Sequence, residues 1–418
     1  MLIVFDHTLA LRSYIETNQL NDLKSVENSI SFVPFEQDRV RLSSTIPIEV
    51  LELRRITKFL LSLNARLYWL ARSSRSYSFR RSVWRHDKFR IPAFIENFFL
   101  QPLTRPLCII FVCSVFFTQA NFYKRLTHFV ENGGKEILYV SVGGSTSMND
   151  FLCLFARRFN IKLSVMLENW DNISSKAVFN FIPSRIGVWG KQAQKFSELI
   201  HNIPVERTEL IGNPRVEWLK RNINTKEIGS HIFFAGGSEN FDEEIEYLVT
   251  VAKLVQKSVR PTEVRYLPHP KRYLLAREKI TLLECMGVRI LNKEMISKQA
   301  SPGSNFQLPR IDLYRLCFEG AALVISPLST MNLEAGILGI PTIGVNVLDI
   351  NVRGWRKPYV SRVHDHLKDL EDKGMMHLVR SPQELASVLS QVHDGNFDFK
   401  HHCMKETDIN YLYSYRVD

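Results

Sequence analysis

Residues 324–342 read Val324-Ile325-Ser326-Pro327-Leu328-Ser329-Thr330-Met331-Asn332-Leu333-Glu334-Ala335-Gly336-Ile337-Leu338-Gly339-Ile340-Pro341-Thr342, and the stretch changes character three times. A short apolar run suits a buried strand. A hydroxyl-rich turn follows, then apolar residues at helical spacing, and Gly339 and Pro341 end the helix before a new strand starts at Thr342. Strand, turn, helix and strand in that order form the repeating unit of a parallel, helix-covered sheet.

The same alternation continues on both sides. The C-terminal half predicts strands over 231–235, 263–267, 288–291, 323–326 and 342–345, with helices over 242–257, 272–286, 313–317 and 331–338. The N-terminal half predicts strands over 2–5, 30–35, 137–142, 163–167 and 185–189, a long helix over 48–70, and helices over 148–159 and 191–201. The polar run Arg221–Lys226 reads as a linker. At 418 residues the chain exceeds what one core usually holds, which is about 250–300 residues, so two domains are expected. Their boundaries are 1–222 and 223–400, with 401–418 a segment that packs back on the first domain. Two open sheets of this kind bind ligands beyond the carboxyl ends of their strands, in a cleft between the domains.

Composition narrows the class. A hydrophobic fraction of 45% and a mean hydropathy of −0.10 describe a chain with a real interior. The start Met1-Leu2-Ile3-Val4-Phe5-Asp6-His7 reads as a buried strand rather than a secretory signal, which gives a cytoplasmic expectation. Six cysteines lack any C-x-x-C pairing, so free thiols are expected and a zinc site is not. A net charge of +11 with pI 9.3 calls for an anionic partner. Arg72, Arg75, Arg80, Arg81, Arg85, Lys88 and Arg90 are interleaved with Tyr77, Phe79, Trp84 and Phe89. Together with the apolar stretches Phe94–Leu100 and Leu107–Phe117, they predict a surface for peripheral attachment to an anionic membrane; a plain core helix and strand are the alternative.

Candidate chemistry lies in the turns after strands. The helix that starts at Ser329-Thr330 presents unpaired amides and hydroxyls suited to phosphate, and Glu334, one turn on, suits sugar or ribose hydroxyls. The alternative is an ordinary N-cap with Glu334 as its solvated companion. His269 stands between Pro268 and Pro270 with Lys271 and Arg272 beside it, placed to stabilise a leaving phosphate by hydrogen bonding or proton donation. Gly236 and Gly237 follow the first strand of this half and allow close backbone approach. The acids after them, Asp242, Glu243, Glu244 and Glu246, read as helix N-terminal charges. In the N-terminal half, Glu168-Asn169-Trp170-Asp171-Asn172-Ile173-Ser174-Ser175-Lys176 follows a strand. Asp171 is the candidate base, with Glu168 and Asp150 as substitutes and Lys176 an anion contact; a capping turn is the alternative. Val142–Asp150 forms a second such loop. His364 and His366 read as part of a solvated helix. No P-loop, H-E-x-x-H or G-x-S-x-G is present.

These residues resemble a family. Leu267-Pro268-His269-Pro270 paired with Ser326-Pro327-Leu328-Ser329-Thr330 is similar to the His-Pro and Ser-Ser/Ser-Thr motifs of bacterial sialyltransferases, Kdo transferases and CDP-glycerol glycerophosphotransferases. Trp170–Lys176 and Ile211–Arg215 resemble segments of bacterial surface-carbohydrate biosynthesis proteins. The resemblance spans roughly residues 137–345. It implies the GT-B fold, α/β with two facing Rossmann-like domains and a ligand cleft between them. It also implies that His269, Ser329 and Thr330 bind the donor phosphate and that Glu334 binds donor hydroxyls. The paired-acid motif that supplies the sialyltransferase base is missing.

The resulting expectation is a glycosyltransferase that moves a sugar or ulosonic acid from a CMP-, CDP- or UDP-linked donor to a surface glycan or lipid-linked acceptor. Gly236, Gly237, His269, Lys271, Ser329, Thr330 and Glu334 bind the donor; Asp171 and His269 are catalytic; Asp150, Glu168 and Lys176 serve the acceptor. No metal and no cofactor beyond the nucleotide sugar is expected. The alternatives are a UDP-N-acetylglucosamine 2-epimerase-like or polyol-phosphate transferase enzyme on the same fold, and an inactive basic binding or scaffold protein. Nucleic acid ranks low as a partner because the basic cluster is local.

Overall fold

Strands buried on both faces need nearly continuous apolar sequence, and Leu2–Phe5 and His231–Ala235 supply it at the centres of two parallel sheets. In the computed structural model, residues 1–17, 28–31, 48–72, 74–79, 101–141, 143–144, 147–224, 229, 231–238, 240–257, 263–298, 310–348, 359–393 and 403–414 are described. Most of the predicted basic cluster (Arg80, Arg81, Trp84, Arg85, Lys88, Phe89, Arg90), the stretch Phe94–Leu100, and Ser145 and Thr146 lie outside these residues.

The first sheet comprises β1 (Leu2–Phe5), β2 (Asn28–Ser31), β3 (Ile48–Val50), β4 (Glu136–Ser141), β5 (Lys162–Leu167), β6 (Arg185–Val188) and β7 (Thr208–Leu210), in the order β3-β2-β1-β4-β5-β6-β7. The second comprises β8 (His231–Ala235), β9 (Glu263–Leu267), β10 (Val288–Ile290), β11 (Ala321–Pro327), β12 (Thr342–Val345) and β13 (His377–Val379), in the order β10-β9-β8-β11-β12-β13. All pairings within both sheets are parallel. In each sheet the winding reverses beside the first strand, between β1 and β4 and between β8 and β11. Crevices at the carboxyl ends of strands open at such reversals.

The chain divides into two compact units. One comprises Met1–Arg215, His364–His366 and the chain from Asn410 on; the other comprises Val216–Val363 and Leu367–Ile409. The first is filled by Val4, Tyr139, Phe151, Phe155, Ile186 and their neighbours. The second is filled by Phe233, Phe318, Val324 and Leu338, among others. Asn213 donates its amide N–H to Tyr413 Oη at 3.0 Å, and the Ser414 amide donates to the Trp189 carbonyl at 2.7 Å. A Cβ on Gly190 would lie 2.4 Å from the Leu412 carbonyl carbon, so the last residues occupy a place that only glycine leaves open.

Two expectations are corrected. The helix predicted from Ile48 begins at Arg55, because Ile48-Glu49-Val50 pairs with Ser29-Ile30-Ser31 as an edge strand and Arg54 adopts an extended conformation. The charged stretch around His364 and His366 is not a solvated face. His366 is only 5% exposed, accepts or donates a 2.7 Å hydrogen bond at Ser174 Oγ, and meets the Trp170 ring edge-on. All six cysteines are free.

Candidate functional site

Three loops meet at the carboxyl edge of the second sheet. After β8, a Cβ on Gly236 would lie 2.7 Å from Glu244 Oε1 and 2.9 Å from the His269 amide nitrogen. A Cβ on Gly237 would lie 2.8 Å from Pro327 Cβ. The glycine turn is therefore pressed against both the His269 loop that follows β9 and the Pro327 end of β11, and no other residue fits there. Glu244, read from sequence as a helix-end charge, does something else. It is buried, accepts the Gly237 amide at 2.7 Å and the Tyr266 hydroxyl at 2.6 Å, and braces the turn from beneath. Arg272 ties down the next residue by donating to the Ser238 carbonyl.

His269 is held between its prolines with Nδ1 accepting the Lys271 amide at 3.2 Å. Burial, then the charges of Lys271 and Arg272, press its pKa down to about 3, so the ring is neutral at pH 7. With Nδ1 occupied as an acceptor, the proton sits on Nε2, which leaves one N–H donor for an anionic oxygen. Hydrogen bonding, rather than proton donation, is what this histidine is prepared to do.

Ser329 is the N-cap of the Thr330–Ile337 helix. Its Oγ accepts the Met331 amide, and Asn332 returns the capping box by accepting the Ser329 amide. Ser326 Oγ donates to the Pro327 carbonyl, so the 3.0 Å contact between Ser326 and Ser329 uses the Ser329 proton. The cap is real, and it holds the helix start rigid beside the glycine turn. Glu334 is fully buried, which rules out the solvated-companion alternative. Lys271 is exposed at the edge of this loop cluster.

The first sheet's carboxyl edge is acidic. Asp6, just past β1, accepts hydroxyls from Tyr139 and from Ser141. Glu168, just past β5, accepts Ser13 Oγ at 2.5 Å, and burial pushes its carboxyl up to about 7 against the pull of Ser13, Arg215, Asn213 and Arg12. Asp171 is only half-buried. Burial alone would raise its pKa, but Lys176, His366, the Ser175 hydroxyl and His364 outweigh this and hold it below the ordinary aspartate value. Among the described residues, no three His, Cys, Asp or Glu side chains group as a metal ion requires.

No protein-family model matches the sequence, and no curated protein matches it. Solved structures do. The UDP-GlcNAc 2-epimerase from Neisseria meningitidis bound to UDP-GlcNAc superimposes with a TM-score of 0.54 at 10% identity, over 98% of this chain and 96% of that one. The S. aureus MnaA structure with UDP gives 0.50 at 8% identity, over 98% and 93%. The chain has the GT-B fold. The GT-B expectation drawn from the sequence holds, with one Rossmann-like sheet in each unit.

Within the GT-B framework the predicted residues separate. Gly236, Gly237, His269, Lys271, Ser329, Thr330 and Glu334 all belong to the second unit, and Glu168, Asp171 and Lys176 to the first. Asp150 has a different task from the acceptor role expected of it. It is 1% exposed, and its oxygens accept Asn64 Nδ2, both nitrogens of Asn180 and the Phe181 amide. A carboxylate saturated by four internal donors has no capacity left for a ligand. Sequence reasoning missed Asp6, Ser13, Glu244 and His366. Only Asp6 carried a signal, as an acid closing a buried strand.

A pH dependence follows from Glu244, whose carboxyl burial pushes up from 4.5 to about 7 against Tyr266, Gly237 and Arg272. The folded state binds this proton more tightly than the unfolded state, so Glu244 costs stability progressively as pH rises from 4.5 to about 7. His269 and His201, both lowered to about 3, act with the opposite sign between about 3 and 6.5, and Glu168, raised to about 7, acts with the same sign as Glu244, so the wild-type curve mixes them all. The comparison with Glu244→Gln isolates the carboxyl: the melting temperature of the wild type relative to the variant should fall between pH 5 and 7.5. A pH-independent difference would mean that Glu244 does not titrate in that window.

Proposed function

We propose that the protein is an enzyme of nucleotide sugars that binds a uridine or cytidine nucleotide donor at the carboxyl edge of the second sheet and transfers the sugar to a hydroxyl acceptor. The observation that carries this reading is the meeting of the Gly236-Gly237 turn, neutral His269 and the rigid Ser329-Thr330 helix start at one sheet edge. The glycine turn leaves room for a ligand to approach the backbone, His269 offers its Nε2–H, and the helix start contributes the positive end of its dipole, and phosphate is the group that uses these together. Lys271 and Arg272 add positive charge for the departing nucleotide. Glu334 takes donor hydroxyls. In this reading Asp171, ionised at neutral pH, takes the proton of the acceptor hydroxyl, whose oxygen bonds to the anomeric carbon as the bond from that carbon to the phosphate oxygen breaks, and the nucleotide leaves with its charge held at His269 and the helix start. A surface glycan or glycolipid is the acceptor class.

The structural likeness to a UDP-GlcNAc 2-epimerase supports a second reading, in which the same nucleotide site serves an epimerase. Nucleotide release that requires an added acceptor supports transfer. Conversion of UDP-N-acetylglucosamine to its 2-epimer without acceptor supports the epimerase.

Nucleotide binding is tested first. UDP, CDP, CMP and GDP are screened by thermal shift, and a uridine or cytidine nucleotide is expected to raise the melting temperature by binding the native state. No shift with any of them would sink both readings. His269→Ala and Thr330→Ala should each weaken binding of that nucleotide by about 1.5–3 kcal/mol without unfolding the protein. Because they share one phosphate, the two losses should be non-additive in a double-mutant cycle. Simple additivity would leave Ser329-Thr330 as a cap alone.

A further inference from the structure

In the first unit, helices Arg55–Ala71 and Gln101–Thr118 pack antiparallel. Thr57 Oγ1 meets Thr118 Oγ1 at 3.0 Å at one end, and Cys108 Sγ meets the Asn64 carbonyl at 3.9 Å further along. Their inner faces belong to the core through Leu61, Ala65, Tyr68, Val112 and Val115. Their outer faces remain apolar. Ile56 is 50% exposed, Phe59 55%, Ile109 41%, Ile110 57% and Phe117 83%. Ile110 and Phe117 are two helical turns apart on one side, and Ile56 and Phe59 one turn apart, so these residues form stripes rather than scattered points. The next helix, Ala120–Glu131, departs at 84°, which leaves Phe117 beside an elbow.

The helices themselves are basic, with the acids Glu49 and Glu52 in the segment before Arg55. The three helices contain Arg55, Lys58, Arg66, Arg105, Lys124 and Arg125 against a single acid, Glu131. Arg125 is paired with Glu49. Arg54, Arg55, Lys58 and Lys124 are exposed. From these features we infer that this face docks the protein onto an anionic lipid bilayer, with Ile110, Phe117 and Phe59 entering the interface and Lys58, Arg55 and Lys124 meeting lipid phosphates. An apolar stripe interleaved with cations matches a surface that is greasy below and anionic above. Among the described residues no single helix is long and apolar enough to cross a membrane; the bent pair Pro106–Thr118 and Ala120–Glu131 passes the test of length and composition together, but Val112, Val115, Phe122 and Leu126 commit its inner side to the core, which favours peripheral attachment. The inference does not depend on the nucleotide reading.

The test is co-sedimentation of the full chain with vesicles of phosphatidylcholine alone or with 30% phosphatidylglycerol, a composition chosen for the ~1 kcal/mol that each cation contributes near anionic lipid. Wild type should bind only the anionic vesicles, and less as salt is raised. Ile110→Ser with Phe117→Ser, and separately Lys58→Glu with Lys124→Glu, should each weaken binding about tenfold or more while leaving the melting temperature unchanged, since all four side chains are exposed. Absence of wild-type binding overturns the proposal, as does equal binding to neutral vesicles. Undiminished binding by the serine variant assigns any attachment to general positive charge and also overturns it. A wild-type dimer that the serine variant abolishes, without vesicle binding, would make the face an interface between copies instead.

Discussion

Asp171→Asn is expected to lower turnover by about 100-fold or more while leaving the nucleotide Kd within about twofold. Asp171 follows β5, is half-buried, and is kept ionised by Lys176, His366, Ser175 and His364. The asparagine keeps the shape and the Ser175 contact but does not accept a proton. Nucleotide affinity is spared because the donor residues proposed above all belong to the other unit. The pH profile adds a second check. If Asp171 is the base, kcat/KM has no acid limb near neutrality, because its pKa lies below 3.8. Glu168, whose carboxyl sits at about 7, would instead produce a limb there. Full turnover in Asp171→Asn, with a limb near pH 7, would transfer the role to Glu168.

Asp150→Ala should destabilise the protein by about 3–5 kcal/mol, read as the shift in a urea unfolding curve at constant m. The alanine leaves Asn64 Nδ2, the Asn180 amide and side chain and the Phe181 amide facing an emptied site, and stranded buried donors cost more than the bond is worth when made. Burial also raises this carboxyl, but the four donors act against the rise, and they identify Asp150 as the pin that holds residues 180–181 to the Asn149–Phe159 helix. A change below about 1 kcal/mol would show that the site relaxes around the loss.

Much of the architecture is legible in the chain. The strands expected at 231–235, 263–267 and 342–345 form over those same residues: 231–235 is buried throughout and nearly all apolar, whereas 263–267 is read from β-branched and aromatic residues alternating with the Glu263–Arg265 pair. Strands β3, β7 and β13 are three residues each at or near sheet edges; Thr208-Glu209-Leu210 has too little apolar pattern to be seen. The loops proposed to carry chemistry are legible for a related reason: a strand that must turn into a helix at a sheet edge uses glycine, proline and hydroxyl residues. Illegible are the polar side chains whose burial comes from distant partners. Glu244 stands in a run of acids and looks like its neighbours until Tyr266 and Gly237 are brought to it. His366 lies in a charged stretch, and only the return of the chain to Trp170 and Ser174 gives it an interior position.

That return has a temporal side. Ser76 is fastened by Asp365, and Trp189 is covered by Tyr413. A ribosome releases residues in order, so the first unit emerges with these places vacant and is completed only when Asp365 and then Tyr413 have been made. The unit that begins first finishes last. Residues 1–215 expressed alone should expose Trp189 and the flank of Gly190 and aggregate, whereas the second unit's sheet, contained within 231–379, has no such wait.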